Sequence, residues 1–171
     1  CTVYMTQDRT VTASFTLNTH PLTVTKAGTG TGTVTSGDTP KTIDCGTDCT
    51  ETYNYNTQVV LTAAASTGST FGGWSGDCTG TSACTLTMSQ TRSVTATFQP
   101  VFTLTVTNGG NGTVTSNPTG INCGADCTQD YVTGAMVILT ATPNTGYVLS
   151  AWSGACTGSG TCTLTMDQAR S

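Results

Sequence analysis

The side chains with chemistry to offer are few, and most of them are thiols. Cys45, Cys49, Cys78 and Cys84 recur as Cys123, Cys127, Cys156 and Cys162, and Trp74 recurs as Trp152, all at one offset of 78 positions. Chance does not keep five such residues in step, so the chain is an array of copies of one small unit. Four thiols per copy can close two disulfides in three ways or hold a zinc ion. Structural zinc sites favour paired knuckles of closely spaced cysteines, whereas Cys78 and Cys84 enclose five residues. Zinc is therefore set aside, and no cofactor is expected. Of the pairings, the local ones are favoured: Cys45–Cys49 and Cys78–Cys84, with Cys123–Cys127 and Cys156–Cys162 one repeat on. The run Cys78-Thr-Gly-Thr-Ser-Ala-Cys84 is a small-residue loop whose ends can face each other across a hairpin neck, and Cys45-Gly-Thr-Asp-Cys49 carries a glycine for a sharp turn. Nine cysteines in so short and uncharged a chain indicate an oxidising compartment. The odd one, Cys1, sits in the repeat register with its partner upstream of the first residue. It is expected to bond to a neighbouring domain or molecule rather than to bear a lipid.

The remaining reactive residues make no catalytic set. His20 is the single histidine, and its counterpart near Phe102 is not one, so it reads as a linker residue and not as the base of a nucleophilic triad. Glu51 is the lone glutamate, and Gln129 stands in its place in the next copy; the paired carboxylates of glycoside chemistry are lacking. Asp48 and Asp126 recur in the cystine turn with Asp44 or Asn122 nearby. That set suits a shallow calcium site or, more simply, turns in which a short side chain bonds local N–H groups. Arg9, Arg92 and Arg170 recur in M-x-Q-x-R, placed to satisfy carbonyls before a last strand. Trp74 and Trp152 would stack on sugar rings if exposed, or anchor a thin core beside Phe71 and Leu149 if buried. With so few other large side chains, burial is favoured.

The elements that must position these residues are strands. Leu22-Thr-Val24-Thr, Leu104-Thr-Val106-Thr, Gly32-Thr-Val34-Thr, Val59-Val-Leu61-Thr-Ala63, Cys84-Thr-Leu86-Thr-Met88 and Val94-Thr-Ala96-Thr-Phe98 alternate apolar residues with threonine, the period-2 signature of a half-buried strand. Gly-rich separators such as Ala27-Gly-Thr-Gly-Thr-Gly32 and Asn108-Gly-Gly-Asn-Gly112 read as turns. The fold class is therefore all-β, with tandem small antiparallel domains, sandwich- or grasp-like, of about 78–83 residues and two disulfides each. A unit that size buries little surface for itself, and each cystine adds about 2–3 kcal/mol by restricting the unfolded chain. Residues 1–19 read as the C-terminal strands of an upstream copy, 20–99 as a complete copy, and 100–171 as a copy lacking its last strand. Arg9-Thr-Val-Thr-Ala-Ser-Phe15 repeats the pattern of that closing strand, and it is expected to pair with a domain outside these residues.

Threonine makes up about a quarter of the chain, and charged residues only 8%, against roughly 25% in ordinary globular domains. A net charge of −4 leaves no basic stripe for phosphates, which excludes nucleic acid and anionic membrane surfaces as partners. No apolar run approaches the ~20 residues of a membrane-spanning helix. Threonine ranks on a flat sheet could face ice, but small sheets twist, so these hydroxyls read as β-formers that stay soluble without charge, or as O-glycan acceptors.

In the order L-T-V-T, G-x-V-T-S, I-x-C-G-x-D-C, V-x-L-T-A, W-S-G, C-T-L-T-M and S-V-T-A-T-F, the motifs resemble the divergent class of internalin B-type repeats over nearly the whole chain. The resemblance implies a compact β-rich bacterial module, strung in tandem in large extracellular proteins, with no catalytic residues. It transfers no site. The function expected is that of a structural module of a long surface protein or fibre, whose partners are neighbouring copies of the repeat. The rival is a carbohydrate- or cell-surface-binding module whose partner is a surface glycan met by Trp74 and Trp152.

Overall fold

The computed structural model describes residues 2–38 and 42–171; Cys1 and its expected external bond lie outside the described residues. Alternation of threonine with apolar residues gives each segment one face for a core and one for water, and among the described residues it produces strands and no helix. The first repeat contains β1 (Thr19–Ala27), β2 (Gly32–Ser36), β3 (Thr50–Asn54), β4 (Gln58–Ala65), β5 (Ser69–Gly76), β6 (Cys84–Thr87) and the first half of β7 (Arg92–Thr105). One sheet runs β3-β1-β7-β5 and the other β2-β4-β6. Their inner faces share one core, with Leu22 and Val24 from β1, Val34 from β2, Leu61 from β4, Leu86 from β6 and Val94, Ala96 and Phe98 from β7. This is a small β-sandwich.

Strand pairing is antiparallel throughout the described residues except between β1 and β7, which run parallel from Leu22↔Arg92 to Ala27↔Thr97, and at a single parallel bridge between Leu104 and Arg170. A parallel neighbour requires a crossover, and the chain makes one by passing through β6 of the opposite sheet before returning as β7. His20, read from sequence as a linker residue, lies within β1 opposite Tyr53. The strand begins earlier than the Leu22-Thr-Val24 alternation suggests because Thr19–Thr23 are held by the ladder with β3.

The second repeat follows with β8 (Gly112–Asn117), β9 (Asn122–Cys123), β10 (Thr128–Val132), β11 (Met136–Pro143) and β12 (Cys162–Thr165). One sheet runs β12-β11-β8-β9, while β10 pairs with the second half of β7 from Val101 to Thr105. The single strand β7 thus closes the first sandwich and opens the second. Pro100 sits at its centre without breaking the hand-over: the Pro100 carbonyl accepts the Thr133 N–H at 2.9 Å, and the Val101 N–H donates to the Gly68 carbonyl at 3.0 Å.

Glycine is required where β7 meets the β1–β2 turn. A Cβ at Gly32 would stand 2.2 Å from the Phe98 ring, and one at Gly28, whose φ is +85°, would stand 2.0 Å from the Phe98 carbonyl oxygen. Phe98 is seated on a floor that only glycine leaves open. Upstream of β1, residues 2–18 form no strand, and Val11 and Phe15 are 67% and 94% exposed. No helix among the described residues is long and apolar enough to cross a membrane.

Candidate functional site

Four disulfides staple the two sandwiches: Cys45–Cys49 and Cys123–Cys127, each with Cα atoms 4.3 Å apart, and Cys78–Cys84 and Cys156–Cys162, at 5.9 and 5.7 Å. The first kind ties a one-turn loop at the end of the β2 or β8 region. In it Asp48 Oδ1 accepts the Thr50 N–H and Asp126 Oδ1 accepts the Thr128 N–H, both at 3.2 Å. These aspartates therefore act as local caps on the turn, and no group of three or more His, Cys, Asp or Glu gathers among the described residues.

The second kind of cystine closes the hairpin that carries the tryptophan. Trp74 N–H donates to the Gly80 carbonyl at 2.8 Å and its Nε1–H to the Ser82 carbonyl at 2.8 Å. Trp152 repeats both bonds, to Gly158 at 2.6 Å and to Gly160 at 2.8 Å. Trp74 is buried edge-on to Phe71, with ring centroids 5.1 Å apart, so neither of its faces is available to a sugar. Trp152 is only half-buried.

Of the three arginines, Arg92 donates from Nη1 to Asp77 Oδ1 at 3.0 Å and from Nη2 to the Thr87 carbonyl at 3.4 Å. Asp77 Oδ2 also accepts the Ser93 N–H at 2.7 Å. That backbone bond first, and the Arg92 guanidinium with it, holds the Asp77 carboxyl below the usual Asp range. Arg170 pairs instead with Asp167 at 2.5 Å, because the position matching Asp77 is Ala155. Arg9 is exposed on the N-terminal segment. Asp77 was not among the residues picked out from sequence, since it is absent from the second copy. Within β3, burial raises the Tyr53 phenol above its ordinary value, and its hydroxyl lies within hydrogen-bonding reach of Asp38 and Thr42.

An open feature belongs to the second repeat. A cavity of 530 Å³ lies between the two sheets, lined by Leu104, Val106, Gly110, Val114, Val148 and Trp152 among others. In the first repeat the matching space holds the β7 residues Val94, Ala96 and Phe98, all buried; the positions matching them in the second lie beyond residue 171. The lining mixes these apolar side chains with polar ones such as Thr105, Asn108, Thr113 and Ser150, and no His, Asp, Glu, Lys or Arg is among its residues.

A family model described as "Divergent InlB B-repeat domain" matches residues 22–101 and 102–171. Among solved structures, "The Bacillus anthracis TIE protein" aligns at 8% identity with a TM-score of 0.32, over 88% of this chain and 32% of that one. The chain thus spans about a third of that protein's length. Among curated proteins, none matches.

Proposed function

The chain belongs to the divergent InlB B-repeat domain family, and on that premise we propose that it serves as a structural module of a long extracellular surface protein or fibre: a spacer, stalk, filament or adhesin shaft. The observation that carries this reading is β7, whose 14 residues are shared by two sandwiches with no linker between them. A shared strand transmits tension from one core to the next through its backbone ladder, and it restricts bending at the junction. Four cystines and a surface of threonine hydroxyls suit a secreted polypeptide that works in an oxidising environment. The function is non-enzymatic and mechanical, supported by a family of repeat modules.

Small-angle scattering and force spectroscopy test it. The expected result is a semi-rigid particle whose two repeats keep a fixed separation, with unfolding in discrete steps that shorten when the cystines are intact. A scattering curve fitting two sandwiches on a freely jointed tether would overturn it. The rival reading, a glycan-binding module, draws only on the half-exposed Trp152; binding on a glycan array that Trp152→Ala abolishes would favour it instead.

A further inference from the structure

The first strand of the first repeat and its last strand lie side by side and point the same way. β1 and β7 pair in parallel through six positions, from Leu22↔Arg92 to Ala27↔Thr97. The chain enters the repeat at the Thr19 end of β1 and leaves it beyond Phe98, so entry and exit stand at opposite ends of one ladder. Tension along the chain then draws the two strands past each other along their own axes. Every bond of the ladder is loaded together, whereas a pull on two neighbouring strand ends opens a ladder one bond at a time. Neither strand is an edge: β3 flanks β1 from Thr19 to Thr23, and β5 flanks β7 from Gly76↔Val94 to Ser69↔Pro100. On the inner face Leu22, Val24, Val94, Ala96 and Phe98 are buried, which keeps competing water off that side of the bonds and strengthens them. Neither cystine of the repeat joins β1 to β7, so no crosslink bypasses the ladder.

We propose that the β1–β7 ladder is a shear clamp, a mechanical device that lets the repeat bear tension along the chain far better than tension across its strands. The clamp is a property of the strand register; its use rests on the reading of the chain as a load-bearing module. β7 also hands the load on. The strand that ends this clamp continues through Pro100 and, from Val101 to Thr105, pairs with β10 as the opening strand of the second repeat. There Leu104 makes to Arg170 the parallel bridge that Leu22 makes to Arg92. No loop lies between the two repeats to stretch first. Rupture under force is governed by the height of the unfolding barrier and not by equilibrium stability. A small sandwich with a thin core therefore resists load wherever unfolding requires a whole ladder to part at once, and yields readily wherever the ladder can be opened from one end.

The test uses the 171-residue chain, pulled one molecule at a time between azide-bearing residues. One version carries them in place of Asn18 and Gln99, and the pull shears the ladder. The other carries them in place of Thr29 and Gln99, and the pull peels it, because Thr29 stands between Gly28 and Gly30, which are pressed against the backbone of Phe98 and Gln99. All three positions are exposed, and equal melting temperatures check that the two versions fold alike. At one loading rate the pull between Asn18 and Gln99 is expected to rupture the repeat in a single step, at a force severalfold higher than the pull between Thr29 and Gln99, which opens gradually. Equal forces in the two directions, or a shearing pull that opens gradually at low force, would overturn the clamp. Either result leaves the spacer reading standing, since scattering decides whether the repeats keep a fixed separation. A freely jointed scattering curve together with unequal forces would remove the use and keep the clamp.

Discussion

The first repeat packs Phe98, Phe71 and Trp74 into one aromatic corner, with Phe71 and Phe98 centroids 5.5 Å apart; the second has Leu149 where the first has Phe71, and the position matching Phe98 lies beyond residue 171. Nearly everything local is the same in both: the cystines, the two tryptophan hydrogen bonds, the glycine under the returning strand. What differs is the partner. Ser69–Gly76 is a strand because β7 lies beside it, whereas the matching residues 147–154 form no strand and leave Tyr147 and Val148 exposed. Sequence alone does not make the segment a strand; the neighbouring edge does.

The largest test of this contrast is to remove the filler where it exists. Phe98→Ala deletes a fully buried ring seated on glycines that cannot move in to close the gap. Large-to-small changes of this kind cost about 3–5 kcal/mol. Denaturant unfolding followed by tryptophan emission should show the first repeat losing stability and Trp74 becoming more exposed. If instead both repeats lose stability equally, β7 couples them into one cooperative unit.

A smaller effect is expected from the hairpin cystines, and it should be unequal in kind. Each short loop contributes about 2 kcal/mol by restricting the unfolded chain. Replacing Cys78 and Cys84 by alanine leaves β5 held along its length by β7. Replacing Cys156 and Cys162 leaves the Trp152 segment held by the bridge to Gly158, by the indole N–H bond to the Gly160 carbonyl and by the bond from the Ala155 N–H to the Ser171 carbonyl. The second double variant should therefore red-shift tryptophan emission in the native state, while the first should lower the melting temperature without a native-state shift. Equal spectra would show that the hairpin holds itself.

Much of this was legible in the sequence, for physical reasons. Strand identity came from threonine alternation because each sheet has one wet and one dry face, as in the buried-exposed alternation of Cys84–Thr87. The register of Cys, Trp and Arg between copies came from the constant offset. Two things were not legible. The parallel seating of β7 beside β1 depends on a crossover through the other sheet, which no local pattern encodes. The Asp77 cap rests on one carboxylate present in a single copy, so the repeat comparison that exposed the cystines concealed it; its signal would have been a lone acid following Trp-Ser-Gly in a chain with few charges.

That cap gives the finest test, because evolution of the two copies has already made the substitution. Asp77→Ala copies the Ala155 arrangement into the first repeat, removing the 2.7 Å bond from the Ser93 N–H and the 3.0 Å pair with Arg92. The expected loss is about 1 kcal/mol at most, the usual size for one exposed backbone hydrogen bond with a modest ionic part. Its pH dependence is specific. The folded carboxyl titrates below the ordinary Asp range, so on acidification the unfolded chain takes up this proton first. The stabilisation is complete above about pH 4 and fades as the pH falls below it. Natural and Asp77→Ala chains should thus differ in melting temperature at pH 6 and converge toward pH 2. The reverse change, Ala155→Asp, offers a cap to the Ser171 N–H, but Arg170 is already engaged by Asp167. Its gain should be smaller, a few tenths of a kcal/mol, and should appear only in the transition of the second repeat. A gain as large as the Asp77→Ala loss would mean that the arginine pair contributes little in either copy and that the backbone bond alone fixes the turn into the closing strand.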